Sequence, residues 1–323
     1  MQPAPHEERW VPDRPAHRPV LLDETLELLA PRPGATFVDA TLGAAGHAFP
    51  LLEAIAPDGR LIGIDRDPEA LEIAGRRLAV FGDRFVPLHG RHEDLVRLLR
   101  DAGVFACNAI LFDLGVSSMQ LDRPERGFSF RHDAPLDMRM DPGGGESAAD
   151  LLARIDEHDL RRILSRWGEE RQSGAIARAI VRERDRRPLV RTCQLAAVVE
   201  RVAGPAARRY RIHPATRTFQ ALRIAVNGEI EGLERLVSDS VSMLARGGRL
   251  AVISYHSLED RAIKTSMRAL ANRCSCPPKL PVCGCGKENL IRVVTSRPVR
   301  PADEEIDRNP RSRSARLRVA ERL

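Results

Sequence analysis

The chain has no apolar run approaching the ~20 residues that a membrane-spanning helix needs, and no signal peptide opens it. A cytoplasmic protein with no membrane partner is therefore expected. Lysine is scarce, supplying only three of the 51 basic residues. Genome composition accounts for that bias as well as function does. Six cysteines in a cytoplasmic chain are not expected to pair as disulfides. There is also no G-x-G-x-x-G fingerprint after a strand, so the usual pyrophosphate cradle of dinucleotide folds is missing.

What is present is a globular composition, 43% hydrophobic and 30% charged, over 323 residues. That length buries a sizeable core and fits two domains, or one domain with a large insertion. The first sixteen residues hold four prolines and many charges, which predicts a disordered leader over 1–16. A net charge of +6 and a pI near 9.3 hint at a polyanionic partner.

The stretch from Thr36 to Asp65 organises the rest. Phe37 and Val38 form a short apolar strand that ends in Asp39, followed by a turn rich in Gly and Ala and then a helix. Gly43 and Gly46, without a Cβ, let the backbone come close to a ligand. A second strand, Leu61 to Ile64, ends at Asp65, placed to take both hydroxyls of a ribose. Asp39 would repel a phosphate and instead suits a nucleoside carrying positive charge, such as S-adenosylmethionine. An unliganded βαβ unit shares this local pattern, so the later strands matter.

His17 to Leu29 has helical spacing, and Pro68 to Val80 follows Asp65 as a helix with proline in its first turn. Arg84 to Leu88 is a third strand, after which His92 is either a stacking partner for an adenine or a solvated loop histidine. Ala109 to Phe112 is a fourth, and it too ends in a carboxylate, Asp113. Three strand-end acids on one edge set the chain apart from a generic βαβ unit.

The alternation then stops. Residues 121–219 read as an inserted, mostly helical substrate-recognition domain, with amphipathic helices expected over Asp150–Trp167 and Ala175–Arg184. The nucleotide-binding sheet is thereby split into 17–120 and 220–323. Phe219 to Leu244 reads as one long helix closed by Gly247-Gly248. Arg249 to Ser254 is a fifth strand, and Leu290–Thr295 and Arg316–Ala320 are antiparallel final strands. Residues 160–220 contain 15 Arg against 5 acidic residues, a solvated arginine face or a phosphate-contacting one. The second is favoured because the cluster runs on into Arg208, Arg209, Tyr210, Arg211 and Arg217, where an aromatic is interleaved. Cys274, Cys276, Cys283 and Cys285 come close to an all-thiolate zinc knuckle, with C-x-C in place of the commoner C-x-x-C; a metal-free reduced loop is the alternative.

D-A-T-L-G-A-A-G-H, D-L-G-V-S-S-x-Q-L-D, R-G-F-S-F, L-D-M-R-M-D, G-E-E-R, H-P-A-T-R-T-F-Q-A-L-R and Y-H-S-L-E-D-R occur in this order. Together they resemble the bacterial ribosomal RNA small subunit methyltransferase H family from about His17 to the C-terminus. The resemblance implies an α/β class I (Rossmann-like) methyltransferase sheet with an inserted helical domain. It also implies S-adenosylmethionine-dependent methylation of the exocyclic N4 of one cytosine in the decoding region of 16S rRNA, either naked or in the small ribosomal subunit. By position, Ala45, Gly46 and His47 match the family's cofactor loop, Asp65 its acidic residue, and His92 its third-strand contact. Asp113 and Gln120 match its fourth-strand contacts. The loop has Ala44-Ala45 where relatives more often carry Gly, and His92 stands where an aromatic such as Phe is common.

A cytosine amine is a poor nucleophile because its lone pair is delocalised into the ring, so in-line positioning and an acceptor for the amine hydrogens are required. Asp113 is the first candidate acceptor, helped by Ser117 and Ser118, and His256 is a further proton acceptor. The chemistry requires no metal. A DNA amino-methyltransferase would carry a D-P-P-Y-like tetrapeptide where this chain has D-L-G-V. A non-catalytic RNA-binding factor would have no need of intact acids at Asp39, Asp65 and Asp113.

Overall fold

The computed structural model describes residues 18–205, 212–273, 276 and 285–323. The expected leader over 1–16 lies outside them. The chain begins with α1 (Leu22–Leu29), then alternates through β1 (Thr36–Asp39), α2 (Ala48–Ala54), β2 (Arg60–Asp65), α3 (Pro68–Leu78), β3 (Phe85–His89), α4 (Leu95–Asp101) and β4 (Cys107–Asp113). It leaves the sheet through α5 (Ser118–Asp122), α6 (Ala148–Arg154), α7 (Glu157–Gly168), α8 (Ser173–Arg184), α9 (Thr192–Ala203) and α10 (Ala215–Asn227). It returns through α11 (Leu233–Met243) to β5 (Leu244–Ser254), and ends with α12 (Ser257–Ala271), β6 (Ile291–Val293), α13 (Asp303–Arg308) and β7 (Arg316–Arg322).

The seven strands lie in the order β3-β2-β1-β4-β5-β7-β6. The first five are parallel, while β7 runs antiparallel to both β5 and β6. Strand side chains alternate between faces, and β4 shows how both are filled. Ile110 and Phe112 join a core with Leu99 of α4, Val237 of α11 and Ile263 of α12. Ala109 and Leu111 join the opposite core with Leu29 of α1, Leu52 of α2 and Leu78 of α3. A strand buried on both faces reads as a continuous apolar run, which is why β4 stands out in the sequence. Helices α6 to α10 have a third core of their own, including Leu152, Leu164, Ile180, Val199 and Leu222.

Three sequence expectations need correction. Asp150–Trp167 is not one helix: the chain breaks at Ile155, and Asp156 caps α7 by accepting from the Asp159 amide at 2.7 Å. Phe219–Leu244 is likewise two helices, because Gly228 and Gly232 take the left-handed backbone (φ 63° and 87°) that ends α10 and precedes α11. Gly247 and Gly248 do not close a helix either. They lie within β5, where the register against β4 shifts between Cys107 and Ala109.

Candidate active site

A parallel sheet puts the last residue of every strand on one edge. β1 and β4 are neighbours, but the chain runs outward from β1 through β2 to β3 before crossing back to β4. This is the switch point where open α/β sheets leave a crevice. Asp39, Asp65 and Asp113 end β1, β2 and β4 on that edge. A cavity of about 310 Å³ opens there, within the range of small-molecule sites.

Six of the sequence-based cofactor candidates line the cavity: Gly46, His47, Asp65, His92, Asp113 and Gln120. Asp39 and Ala45 do not. Asp39 is 2% exposed and sits behind the wall, its carboxylate accepting from the Thr41 amide at 3.2 Å. Burial lifts its pKa to about 7, against the Thr41 hydrogen bond, and the charges of Asp113 and Asp65 push the same way. Ala45 is fully buried, and its left-handed backbone (φ 60°) shapes the loop from within.

The loop is tied to Asp65. One carboxylate oxygen accepts from the Gly43 amide at 2.7 Å and the other from the Asp67 amide at 2.9 Å. Burial raises the Asp65 pKa, and these two amides oppose it. Each oxygen retains a lone pair for a ribose hydroxyl. Gly46 also has to be small on its other side: a Cβ there would lie 2.8 Å from Pro19 of the N-terminal segment. His92 is 12% exposed and edge-on to Phe112, with ring centroids 6.2 Å apart. Burial lowers its pKa to about 4, which leaves a neutral ring that suits a flat heterocycle.

Asp113 is more constrained than the sequence implies. Its amide donates to the Thr41 hydroxyl at 2.6 Å, and one carboxylate oxygen accepts from the Tyr255 hydroxyl at 2.8 Å. The other oxygen lies 3.8 Å from His47 Nδ1, while His47 Nε2 is 3.0 Å from the Val20 carbonyl. Burial, followed by the nearby Asp113 charge, raises the Tyr255 pKa well above its ordinary value, so the phenol keeps its proton. Tyr255 was missed as a site residue, although it opens the Y-H-S-L-E-D motif.

Gln120 lines the cavity with its amide already engaged. Its oxygen accepts from the Ser117 amide at 3.2 Å, and its nitrogen donates to Asp67 at 3.0 Å. Ser117 also lines the cavity and caps α5, its hydroxyl accepting from the Gln120 amide. Asp67 is 1% exposed and also takes a hydrogen bond from Arg126 at 2.9 Å. Arg126 reaches on to the carbonyls of Arg139 and Met140, and Met140 forms part of the cavity wall. Asp67 and Arg126 escaped the sequence reading, though Asp67 before Pro68 is a helix-start signal.

His256 does not line the cavity. It caps α12 through Nδ1, which accepts from the Glu259 amide at 3.4 Å. Its Nε2 is 3.1 Å from a Glu259 oxygen, at ion-pair distance but without hydrogen-bond alignment. Glu229, His256 and Glu259 bring ligand atoms within 4.8 Å of one another. Arg223 pairs with Glu229 through both of its oxygens, at 2.9 and 2.8 Å, so that carboxylate already has its cation.

The arginine cluster falls partly outside the described residues, as Arg208, Arg209 and Arg211 do. Arg217 is exposed on α10 and donates to the Glu169 carbonyl at 3.4 Å. Several of its neighbours are paired: Arg178 with Glu157, and Arg187 and Arg201 with Glu183. Cys274 and Cys283 also lie outside the described residues, while Cys276 and Cys285 lie inside and are half-buried. Among the described residues no helix is long and apolar enough to cross a membrane.

This strand order, with acids closing β1, β2 and β4 around a crevice, is that of the class I S-adenosylmethionine-dependent methyltransferases. Within that class, residues 14–323 match the MraW methylase family, and the chain belongs to it. Relatives called ribosomal RNA small subunit methyltransferase H include one from Trichlorobacter lovleyi, 54% identical over 95% of this chain and 98% of that one. Another, from Thermomicrobium roseum, is 52% identical over 95% and 94%. Among solved structures the chain is similar to a putative rRNA-methylase from Clostridium thermocellum, with TM-score 0.41 and 12% identity over 93% and 94% of the two chains.

Proposed function

We propose that the protein methylates the exocyclic N4 of one cytosine in the decoding region of 16S rRNA, with S-adenosylmethionine as donor. The observation that carries this is the near full-length identity, above 50%, to relatives named as small-subunit ribosomal RNA methyltransferases. The cavity fits the donor. Its acids can hold a ribose and favour a cation, and a neutral His92 offers a face to an adenine. When bound, S-adenosylmethionine supplies an electrophilic methyl group on a sulfonium.

In this proposal Asp65 binds the ribose and His92 flanks the base. Backbone at Gly46 and His47 borders the methionine end, and Asp113 and Gln120 complete the wall. Asp39 lies behind it as a buried carboxyl. Asp113 also accepts a hydrogen bond from the target amine, concentrating the lone pair toward the methyl. Ser117 holds the turn beneath it. His256 is 9% exposed and outside the cavity lining, so its part in taking the proton would run through Glu259, which lines the cavity. Residues 121–219 present the RNA-facing surface, with Arg208, Arg209, Arg211 and Arg217 on phosphates. A base reaches such a pocket only when unstacked. Mass mapping of nucleosides in 16S rRNA from a deletion strain tests the proposal: one N4-methylated cytosine should be lost. A full set of modified cytosines refutes it.

A further inference from the structure

We infer that Tyr255 is a positioning residue of the methyl-transfer site, holding the Asp113 carboxylate ionised and turned so that its second oxygen faces the cavity. The hydroxyl of Tyr255 donates to one Asp113 oxygen at 2.8 Å. The main chain that carries the ring is anchored by the Tyr255 amide, which donates to Glu259 at 2.8 Å. The ring also packs on the turn after β4, where a Cβ on Gly115 would lie 3.4 Å from it. The contact bridges the ends of β4 and β5, two neighbouring strands that meet only after the whole helical insertion.

The charged and titratable groups around the pair are Asp39 from β1, His47 ahead of α2, Glu259 from α12 and Glu305 from α13. The Asp113 charge sits close enough to disfavour ionisation of Asp39. A phenol that only donates favours the ionised form of whichever carboxylate it touches, and it touches Asp113. Asp39, driven toward its protonated form first by burial and then by the Asp113 charge, holds the proton of this pair, which leaves Asp113 as the acceptor.

The test is Tyr255→Phe, which removes one oxygen and keeps the ring. Single-turnover methylation at saturating cofactor should fall about tenfold, while the cofactor KM changes less than about threefold. The acid limb of the pH–rate profile should move up by about one unit, the shift expected when a carboxylate loses a charge-assisted hydrogen bond. Fluorotyrosine placed at Tyr255 is a stronger donor and should move the limb down. In an Asp113→Asn background, removing the hydroxyl should cost nothing further.

The rate arms rest on the proposed methyl transfer. Carbon-13 titration of the Asp113 carboxyl in cofactor-free protein reads the same upward shift without substrate. Wild-type protein that leaves 16S rRNA unmethylated refutes the substrate proposal and leaves that titration to decide. An unmoved Asp113 midpoint in folded Tyr255→Phe protein, or an equal loss of rate at every pH with an unmoved acid limb, overturns the role of Tyr255.

Discussion

Asp39 and Asp65 both close short apolar strands, yet their surroundings set them apart. Asp65 gives each oxygen to one backbone amide and faces the cavity, so Asp65→Ala would remove the proposed ribose partner. Its cofactor affinity, measured by calorimetry, should drop by about 1.5–3 kcal/mol. Unchanged affinity in a folded variant counts against the assignment. Asp39 instead sits dry behind the wall with its pKa raised to about 7. Because the folded value exceeds the unfolded one of 3.8, the folded chain binds this proton more tightly. The stability it contributes is fully present below about pH 4 and is lost as pH rises through 7. Between pH 5 and 8 the cofactor-free wild type should lose about 2 kcal/mol relative to Asp39→Asn, measured by urea melts at both pH values. Parallel behaviour of the two proteins would rule this out. The sequence reveals a carboxylate at a strand end, but not whether its oxygens turn outward or stay under the loop. That depends on which amides the following turn offers, so Asp65 reaches the cavity lining and Asp39 stays behind it.

Elements were legible where one chemistry dominates. Each parallel strand contains an apolar run, three of the five end in an acid, and all of them were found within a few residues. The helix breaks at Ile155 and at Gly228 were not, because apolar periodicity carries straight across both. Only the caps reveal them: Asp156 in the first case, the glycines in the second. The irregular segment after α5 was harder still, since its order comes from partners distant in sequence. Asn227, at the end of α10, accepts from the Met140 amide at 2.8 Å and donates to the Met138 carbonyl at 2.7 Å. Arg126 holds the same segment from the other side while neutralising Asp67. Arg126→Met should cost about 3–5 kcal/mol in denaturant unfolding, because it strands a buried carboxylate. A loss below 1 kcal/mol would mean that Gln120 and solvent suffice for Asp67.

For the whole molecule, the charge distribution predicts how RNA is held. Replacing Arg208, Arg209 and Arg211 together should flatten the salt dependence of RNA binding by up to about three phosphate contacts and leave cofactor affinity as it was. An unaltered salt slope would make that segment a solvated face. The insertion has a second consequence, for how the chain assembles during synthesis. β4 pairs with β5 along its length, with Asp113 opposite Ile253, and every helix from α5 to α11 must be made before that partner exists. Until then the nascent protein carries β1 to β4 with one apolar edge open, a template for pairing with the wrong chain. The insertion has a core of its own and can fold in that interval. A folded insertion leaves less unordered chain for β5 to carry back to β4 than an unfolded one of the same length.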